Sequence, residues 1–351
     1  MQNTRTRSDR THVALVSPPA TRPLLKWAGG KRQLLPALRR HYPESFDRYI
    51  EPFLGSGAVF FDLLSAGRLV DRVVTLADAN PDLIGCYRAV RDEPEAVIAA
   101  LGRLEREHRA RGSECYYDVR DRRFNPARAA AAHGPATARY DATLAAMFIY
   151  LNRTGFNGLF RLNRSGGFNV PAGRYTDPAI CDPEHIKSVA RALSSGRVTL
   201  VCKPFETALA DAGAGDFVYC DPPYAPVSRT AQFAHYTAGG FGESDQARLL
   251  TALLTGARRG ASILLSNSSA AAMVKAYTAL PVRQAGLVLH RVPARRAINS
   301  RAALRGPVDE LILTNAPAGA TLKVPVRMLR ARLSSGDPHQ LPATRARERQ
   351  A

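Results

Sequence analysis

Cysteine is scarce and scattered in this chain. Cys86, Cys115, Cys181, Cys202 and Cys220 are odd in number, form no C-x-x-C pair and have no histidine at ligand spacing. The pattern argues against a zinc site or any other metal, and for reduced thiols in a cytosolic protein. Long apolar runs are missing: none approaches 18 residues, and the polar, basic N-terminus leads into no apolar core. Neither a membrane span nor export is expected. Acidic residues are in deficit, with 30 Asp and Glu against 49 Lys and Arg for a formal charge of +19. Residues 1–20 hold about +2 and residues 316–351 about +5, which leaves about +12 in the body. A basic body favours a polyanionic partner bound in a salt-sensitive way, or else reflects an Arg-rich proteome. Two glycine signatures are absent as well. Gly29-Gly30 lacks the Walker A spacing, and Gly55 and Gly57 lack the third glycine of the dinucleotide fingerprint, which disfavours an NAD enzyme.

The stretch that is present and most informative is Val218-Tyr219-Cys220-Asp221-Pro222-Pro223-Tyr224. Phe217–Cys220 reads as a short buried strand, and the two prolines force the chain out of the sheet in a stiff extended form. Asp221 is thereby expected at a strand's carboxyl edge, where open α/β sheets bind ligands. A carboxylate, the carbonyl between two prolines and an aromatic ring then project from one turn. That set suits an exocyclic amino group on a planar ring, such as N6 of adenine. Its lone pair is delocalised into the ring, and two acceptors for its hydrogens push the nitrogen toward a tetrahedral form able to attack an electrophilic methyl. Tyr224 would hold the ring face, a contact worth roughly 1–3 kcal/mol per base. The plainer alternative is a proline-rich turn with a capping aspartate.

Several other stretches fit an α/β protein that handles a nucleotide-like cofactor. Trp27, the one tryptophan, lies between Lys26 and Lys31 beside Gly29-Gly30, ahead of a helical pattern over Gln33–Arg40. Lys31 can meet a carboxylate there, although the segment also reads as an ordinary turn leading into a helix. Tyr49–Gly57 followed by Ala58–Leu64 forms a strand, a glycine turn and a helix, with Phe53, Gly55 and Gly57 in the turn. About twenty residues on, a strand over Val73–Ala77 delivers Asp78, placed either to accept from ribose hydroxyls or to cap the helix after Pro81. The βα rhythm is expected to stop after Cys86. Residues 86–125 read as helical, 126–139 as a low-complexity surface loop, and Asp141–Asn152 as a helix with an Asp cap.

From Asn152 to Asn163, asparagines, glycines, aromatics and arginines interleave, and a turn at Arg164–Gly167 with a return strand at Phe168–Pro171 predicts a β-hairpin. Arg161 can fork to guanine O6 and N7, Asn157 can pair with an exposed base edge, and Phe156 can stack or wedge. A glycine-rich loop with solvated arginines is the alternative. Further on, a strand is expected over Arg197–Cys202, a mobile flap over 225–243, and a helix from Asp245 to about Gly256. His235, in the flap, has no triad partner and reads as structural. Strands over Ser262–Asn267 and Glu310–Thr314 complete the core, with a basic loop at Arg291–Arg305 as a phosphate clamp.

In this order, KWAGGK (26–31), EPFLGSG (51–57), LADANPDL (76–83), LNRTGFNGLFRLNRSGGFNVP (151–171) and VYCDPPYAP (218–226) closely resemble the DNA adenine methylase family. The likeness runs from about Pro23 to Asn315. It implies a Rossmann-like S-adenosylmethionine-dependent methyltransferase sheet with an inserted helical and β-hairpin target-recognition domain. The expected divisions are a disordered basic arm at 1–20, a cofactor-binding part at 21–85, the recognition domain at 86–195, a catalytic part at 196–315 and a disordered tail at 316–351. The resemblance implies that Trp27, Lys31, Asp78 and Asp221 touch S-adenosylmethionine above the Phe53–Gly57 loop, and that Asp221, Pro222, Pro223 and Tyr224 receive a flipped adenine of double-stranded DNA. In relatives that methylate GATC, positions aligned with Lys26 and Arg161 read guanine, those of Leu159 and Pro171 meet the thymine methyl, and those of Phe156 and Asn157 fill the gap left by flipping. It also implies a cytoplasmic, nucleoid-associated protein of bacterial or phage origin.

Phe156 stands where several relatives carry Tyr, and Ala302-Ala303 replaces a Gly-rich segment. Ser-Pro-Pro-Tyr would be more usual for a cytosine-N4 methyltransferase, and Asn-Pro-Pro-Tyr for a protein-glutamine methyltransferase. A relative that binds DNA without turnover is the reading from another class.

Overall fold

The structure is a computed structural model that describes residues 21–27, 29–133, 140–195, 197–225, 241–295 and 307–316. Seven strands form one sheet: β1 (Arg48–Glu51), β2 (Val73–Asp78), β3 (Val198–Cys202), β4 (Asp216–Cys220), β5 (Ser262–Ser268), β6 (Val288–Arg295) and β7 (Pro307–Thr314), in the order β3-β2-β1-β4-β5-β7-β6. The first five are parallel, while β7 runs antiparallel to both β5 and β6. The order reverses between β1 and β4, so the carboxyl ends of β2, β1 and β4 open onto one crevice.

β4 is buried at all five residues because its side chains alternate between two faces that are both covered. Phe217 and Tyr219 join the core on one face with Tyr49, Val74 and Leu76, while Val218 and Cys220 join the other with Ile50, Ile263 and Leu265. Helices cover both faces. In chain order they are α1 (Leu35–Leu38), α2 (Ala58–Ser65), α3 (Pro81–Asp92), α4 (Pro94–Arg111), α5 (Ser113–Asp118), α6 (Asn125–His133), α7 (Ala142–Thr154), α8 (Pro183–Leu193), α9 (Phe205–Leu209), α10 (Glu243–Arg258), α11 (Ala271–Tyr277) and α12 (Leu280–Gln284). Between β2 and β3 the chain makes α3 to α8, and α7 packs against both α3 and α4. Asp141 caps α7 as its sequence predicts, accepting from the Leu144 amide at 2.7 Å.

Five local expectations change. α3 runs unbroken through Cys86 to Asp92, so the boundary expected after residue 85 falls inside a helix. Residues 126–133, within α6, are helix rather than surface loop, because an alanine run is a strong helix former. Residues 134–139 lie outside the described residues. Gln33–Arg40 is broken into 3-10 turns around the short α1, with Pro36 in its first turn. Arg291–Arg295 is strand, paired with β7 from Arg291↔Leu311 to Arg295↔Pro307, and not the start of a basic loop. The rest of that segment, including Ala302-Ala303, lies outside the described residues. The return arm at Phe168–Pro171 is extended but forms no regular strand, only the bridges Leu162↔Phe168 and Gly155↔Ala172. Outside the described residues too are the arm at 1–20, the tail from 317 and most of the flap, 226–240, with His235.

Candidate active site

Asp221 leaves the carboxyl end of β4 into a polar knot. Its Oδ2 lies 2.8 Å from Lys31 Nζ, and Ser266 Oγ on β5 donates to its Oδ1 at 2.9 Å. Lys31 is only 5 % exposed, sits 4.6 Å from the centroid of the Tyr224 ring and also reaches the Gly29 carbonyl. Tyr224 Oη donates to Glu310 Oε2 on β7 at 2.9 Å, which fixes the ring plane between a cation and a carboxylate. Burial pushes the Asp221 carboxyl above the usual carboxylate range, against the pull of Lys31 and the Ser266 hydroxyl.

The proline turn is braced from behind. Gln246 Nε2 on α10 donates to the Pro223 carbonyl at 3.0 Å, and Gln246 Oε1 accepts from Asn267 Nδ2 at 3.0 Å. Asn267, fully buried, donates at 2.9 Å to Tyr277 Oη as well. Satisfied buried networks of this kind hold one geometry, since each broken bond leaves a polar group stranded in low dielectric.

The neighbouring strand ends carry the second cluster. Asp78, at the end of β2, accepts from the Gly55 amide at 3.1 Å through Oδ2 and from the Asn80 amide at 2.9 Å through Oδ1. Asp78 does not cap α3; Asn80 does, accepting from Asp82 and Leu83. Burial raises the Asp78 carboxyl to about 6, against those backbone donors. Gly55 and Gly57 have positive φ, and a Cβ on Gly55 would lie 2.9 Å from Trp27 Cδ1. Only glycine lets the turn run beneath the indole. Phe53 stacks on Phe205 at 5.5 Å and meets Phe241 edge-on at 5.7 Å. Between the clusters, at the end of β1, stands Glu51, 2 % exposed, which accepts from Tyr49 Oη at 2.8 Å. Burial and the nearby Asp221 and Asp78 push its carboxyl well above the usual range.

The six candidate DNA-reading residues lie apart from the strand ends, around the 155–171 loop. Asn152 Oδ1 accepts from the Lys26 amide at 2.9 Å, and its Nδ2 reaches the Lys26 carbonyl at 2.6 Å and that of Gly158 at 3.0 Å. Gly158, with φ +63°, packs so closely on Lys26 that a side chain there would collide with it. Lys26 Nζ lies 4.3 Å from the Tyr175 ring centroid. Phe156 is 47 % exposed, and Asn157 holds a left-handed backbone at φ 54°. Such conformations cluster at functional loops. Pro171 is exposed and Leu159 half-buried. Arg161 is not wholly free: Nε donates to Asn169 Oδ1 at 2.8 Å. Trp27 stacks on Phe160 at 5.9 Å, joining this loop to the glycine turn.

Thus Lys31, Asp221, Pro222, Pro223 and Tyr224 come together, and Trp27, Phe53, Gly55, Gly57 and Asp78 gather at the adjacent strand ends. Glu51, Ser266, Gln246, Asn267 and Glu310 complete the crevice without having been singled out in the sequence. Glu51 alone carried a signal, being a carboxylate at the end of an apolar strand. Among the described residues no three His, Cys, Asp or Glu converge as metal ligands would, no helix is long and apolar enough to cross a membrane, and all five cysteines are free.

A family profile described as D12 class N6 adenine-specific DNA methyltransferase matches residues 27–297. A "DNA adenine methylase" of Vibrio cholerae is 38 % identical over 297 residues, 84 % of this chain and 96 % of the relative. The "Type II methyltransferase M1.LlaDCHI" of Lactococcus lactis is 36 % identical over 294 residues, 84 % of this chain and 95 % of its own length. The "Type II methyltransferase M.MjaIII" of Methanocaldococcus jannaschii is 36 % identical over 305 residues, covering 84 % and 99 %. Seven strands in a single sheet with helices on both faces agree with a methyltransferase that uses S-adenosylmethionine, and the chain belongs to the D12 class of N6 adenine-specific DNA methyltransferases.

Proposed function

We propose that this DNA methyltransferase acts on double-stranded DNA at GATC, with the target adenine turned out of the helix into the pocket of Asp221, Pro222, Pro223 and Tyr224. The observation that carries this reading is the Asp221–Lys31–Tyr224 knot: a half-buried carboxylate paired with a buried lysine, beside an aromatic ring whose hydroxyl is anchored by Glu310. Asp221 and the Pro222 carbonyl accept the two N6 hydrogens, which localises the nitrogen lone pair, and Tyr224 stacks on the base. Trp27, Phe53, Gly55, Gly57 and Asp78 would hold S-adenosylmethionine, with Lys31 turning from Asp221 toward its carboxylate. The glycine cradle under Trp27 and the remaining lone pairs of Asp78 fit an adenosine and its ribose hydroxyls. When bound, that cofactor supplies the electrophilic methyl group.

Lys26 and Arg161 would read the guanines, Leu159 and Pro171 the thymine methyl, and Phe156 and Asn157 would fill the space the adenine leaves. Exposure of Phe156 and the left-handed backbone at Asn157 support the last assignment. The segment that follows α3, residues 94–195, would then serve as the recognition domain, inserted between the cofactor-holding and catalytic parts.

The test is to incubate purified protein with S-adenosylmethionine and unmethylated plasmid, then map modified bases at single-nucleotide resolution. N6-methyladenine confined to GATC is expected. Modified adenine at another sequence would overturn the reading assignments, and a protein that binds both ligands without methylating would overturn the catalytic ones.

A further inference from the structure

The return arm of the reading loop owes its shape to a neighbouring helix. Val170's carbonyl accepts from Tyr116 Oη at 2.9 Å and from Arg120 Nη1 at 3.0 Å. Asn125 clasps Phe168 from both sides, accepting from its amide at 2.8 Å and donating to its carbonyl at 3.0 Å. Arg128 Nη1 donates to the Gly166 carbonyl at 2.5 Å. Residues 168 and 170 share one edge of the extended arm and Gly166 lies in the turn before it, so side chains from a single helical run stand in for a third strand. A π-helical turn over Val119–Phe124 joins α5 to α6. Its wider i→i+5 winding brings Asn125 back beneath Arg120, which an unbroken α-helix would turn away.

Arg120 also forks onto Asp121 of its own turn, but Arg128 differs from the other clamps in having a second anchor on a separate helix. Its Nε donates at 2.6 Å to Oδ2 of Asp82 on α3, a carboxylate only 2 % exposed. The Asp82 amide donates to Asn80 Oδ1 at 3.0 Å, and the Asn80 amide to Asp78 Oδ1 at 2.9 Å. Asp78 in turn holds the Gly55 amide. One line of hydrogen bonds therefore runs from the loop turn at Gly166 to the strand end and the glycine turn.

Resting on the reading above, we propose that Arg128 is a positioning residue that couples S-adenosylmethionine binding at Asp78 and Gly55 to DNA reading by the 155–171 loop. Holding Asp78 fixes Asn80 and Asp82, which presets the Arg128 fork and with it the loop turn. DNA then meets a loop that needs less ordering, and the same gain must appear in cofactor affinity when DNA binds first.

The experiment titrates the full chain with S-adenosylhomocysteine, the unreactive product, with and without a duplex carrying the methylated site mapped above. Wild-type protein should bind the product about tenfold more tightly when the duplex is present, within the usual range for linked sites. Arg128→Lys keeps a charge beside Asp82 but loses the fork that spans both anchors. It should retain its melting temperature and its affinity for each ligand alone, while the coupling falls toward unity. Should removal of the fork hinder folding, the double variant Asp82→Asn/Arg128→Gln removes both charges together and should show the same loss. Wild-type coupling in either folded variant overturns the proposal, as does absence of coupling in a wild-type protein that methylates normally. A wild-type protein that neither binds the product nor methylates DNA would instead bring down the functional reading itself.

Discussion

The catalytic crevice and the reading loop are held in different ways. At the strand ends, polar side chains hold one another: Lys31 on Asp221, Ser266 on Asp221, Tyr224 on Glu310, and Gln246 on the proline turn. In the loop, helix side chains hold backbone, and the proposed reading residues Phe156, Asn157, Arg161 and Pro171 stay exposed. The difference teaches where each region's precision comes from. A buried knot is set by the high cost of any unpaired charge. A clamped loop keeps a fixed path while leaving its side chains free to meet a partner.

The sharpest way to break this comparison is Asp221→Ala. Methylation should fall by at least about 10³-fold, at the upper end for loss of one pre-placed polar group, while DNA affinity stays nearly unchanged. Retained turnover in a radiolabelled methyl-transfer assay would refute the role given to the knot. On the loop side, Arg161→Ala should relax discrimination at one guanine by about 1–3 kcal/mol in competition binding. Uniformly weaker binding to all sequences would make Arg161 a phosphate contact instead.

Asn125→Ala tests the clamp itself. Loss of both bonds to Phe168 should cost about 1–3 kcal/mol of stability, read in chemical denaturation, with product binding largely preserved. A large loss of product affinity would show that loop and crevice are not separately held.

The smallest effect concerns pH. Asp221 must be ionised to accept the N6 hydrogens, and burial raises its proton affinity. The rate should therefore fall on the acid side at a pH above the ordinary carboxylate range. Ser266 draws the Asp221 carboxyl down, so Ser266→Ala should move that acid limb upward in a single-turnover pH profile. A limb at unchanged pH would mean that Ser266 does not tune the carboxylate. Asp78, raised to about 6, predicts that product affinity weakens as pH falls through that value.

The sequence by itself determined most of what lies on the sheet. Val218–Cys220 is apolar and closed by two prolines, so it had to be a buried strand that exits rigidly at Asp221. The glycines at 55 and 57 announced a turn pressed against another group. These signals are local, carried by burial period and backbone restriction, and short segments suffice to read them. Tertiary structure alone decided the partners. Ser266, Gln246, Asn267 and Glu310 belong to strands and a helix that follow the proline turn by more than twenty residues, and Lys31 precedes it by far more. Sequence spacing says nothing of which side chains a sheet will bring edge to edge. It also misread 126–133 and 168–171, for a related reason. The alanine run gains its role by clamping a distant loop through Asn125 and Arg128, and the return arm satisfies its backbone on those same side chains rather than in a regular ladder.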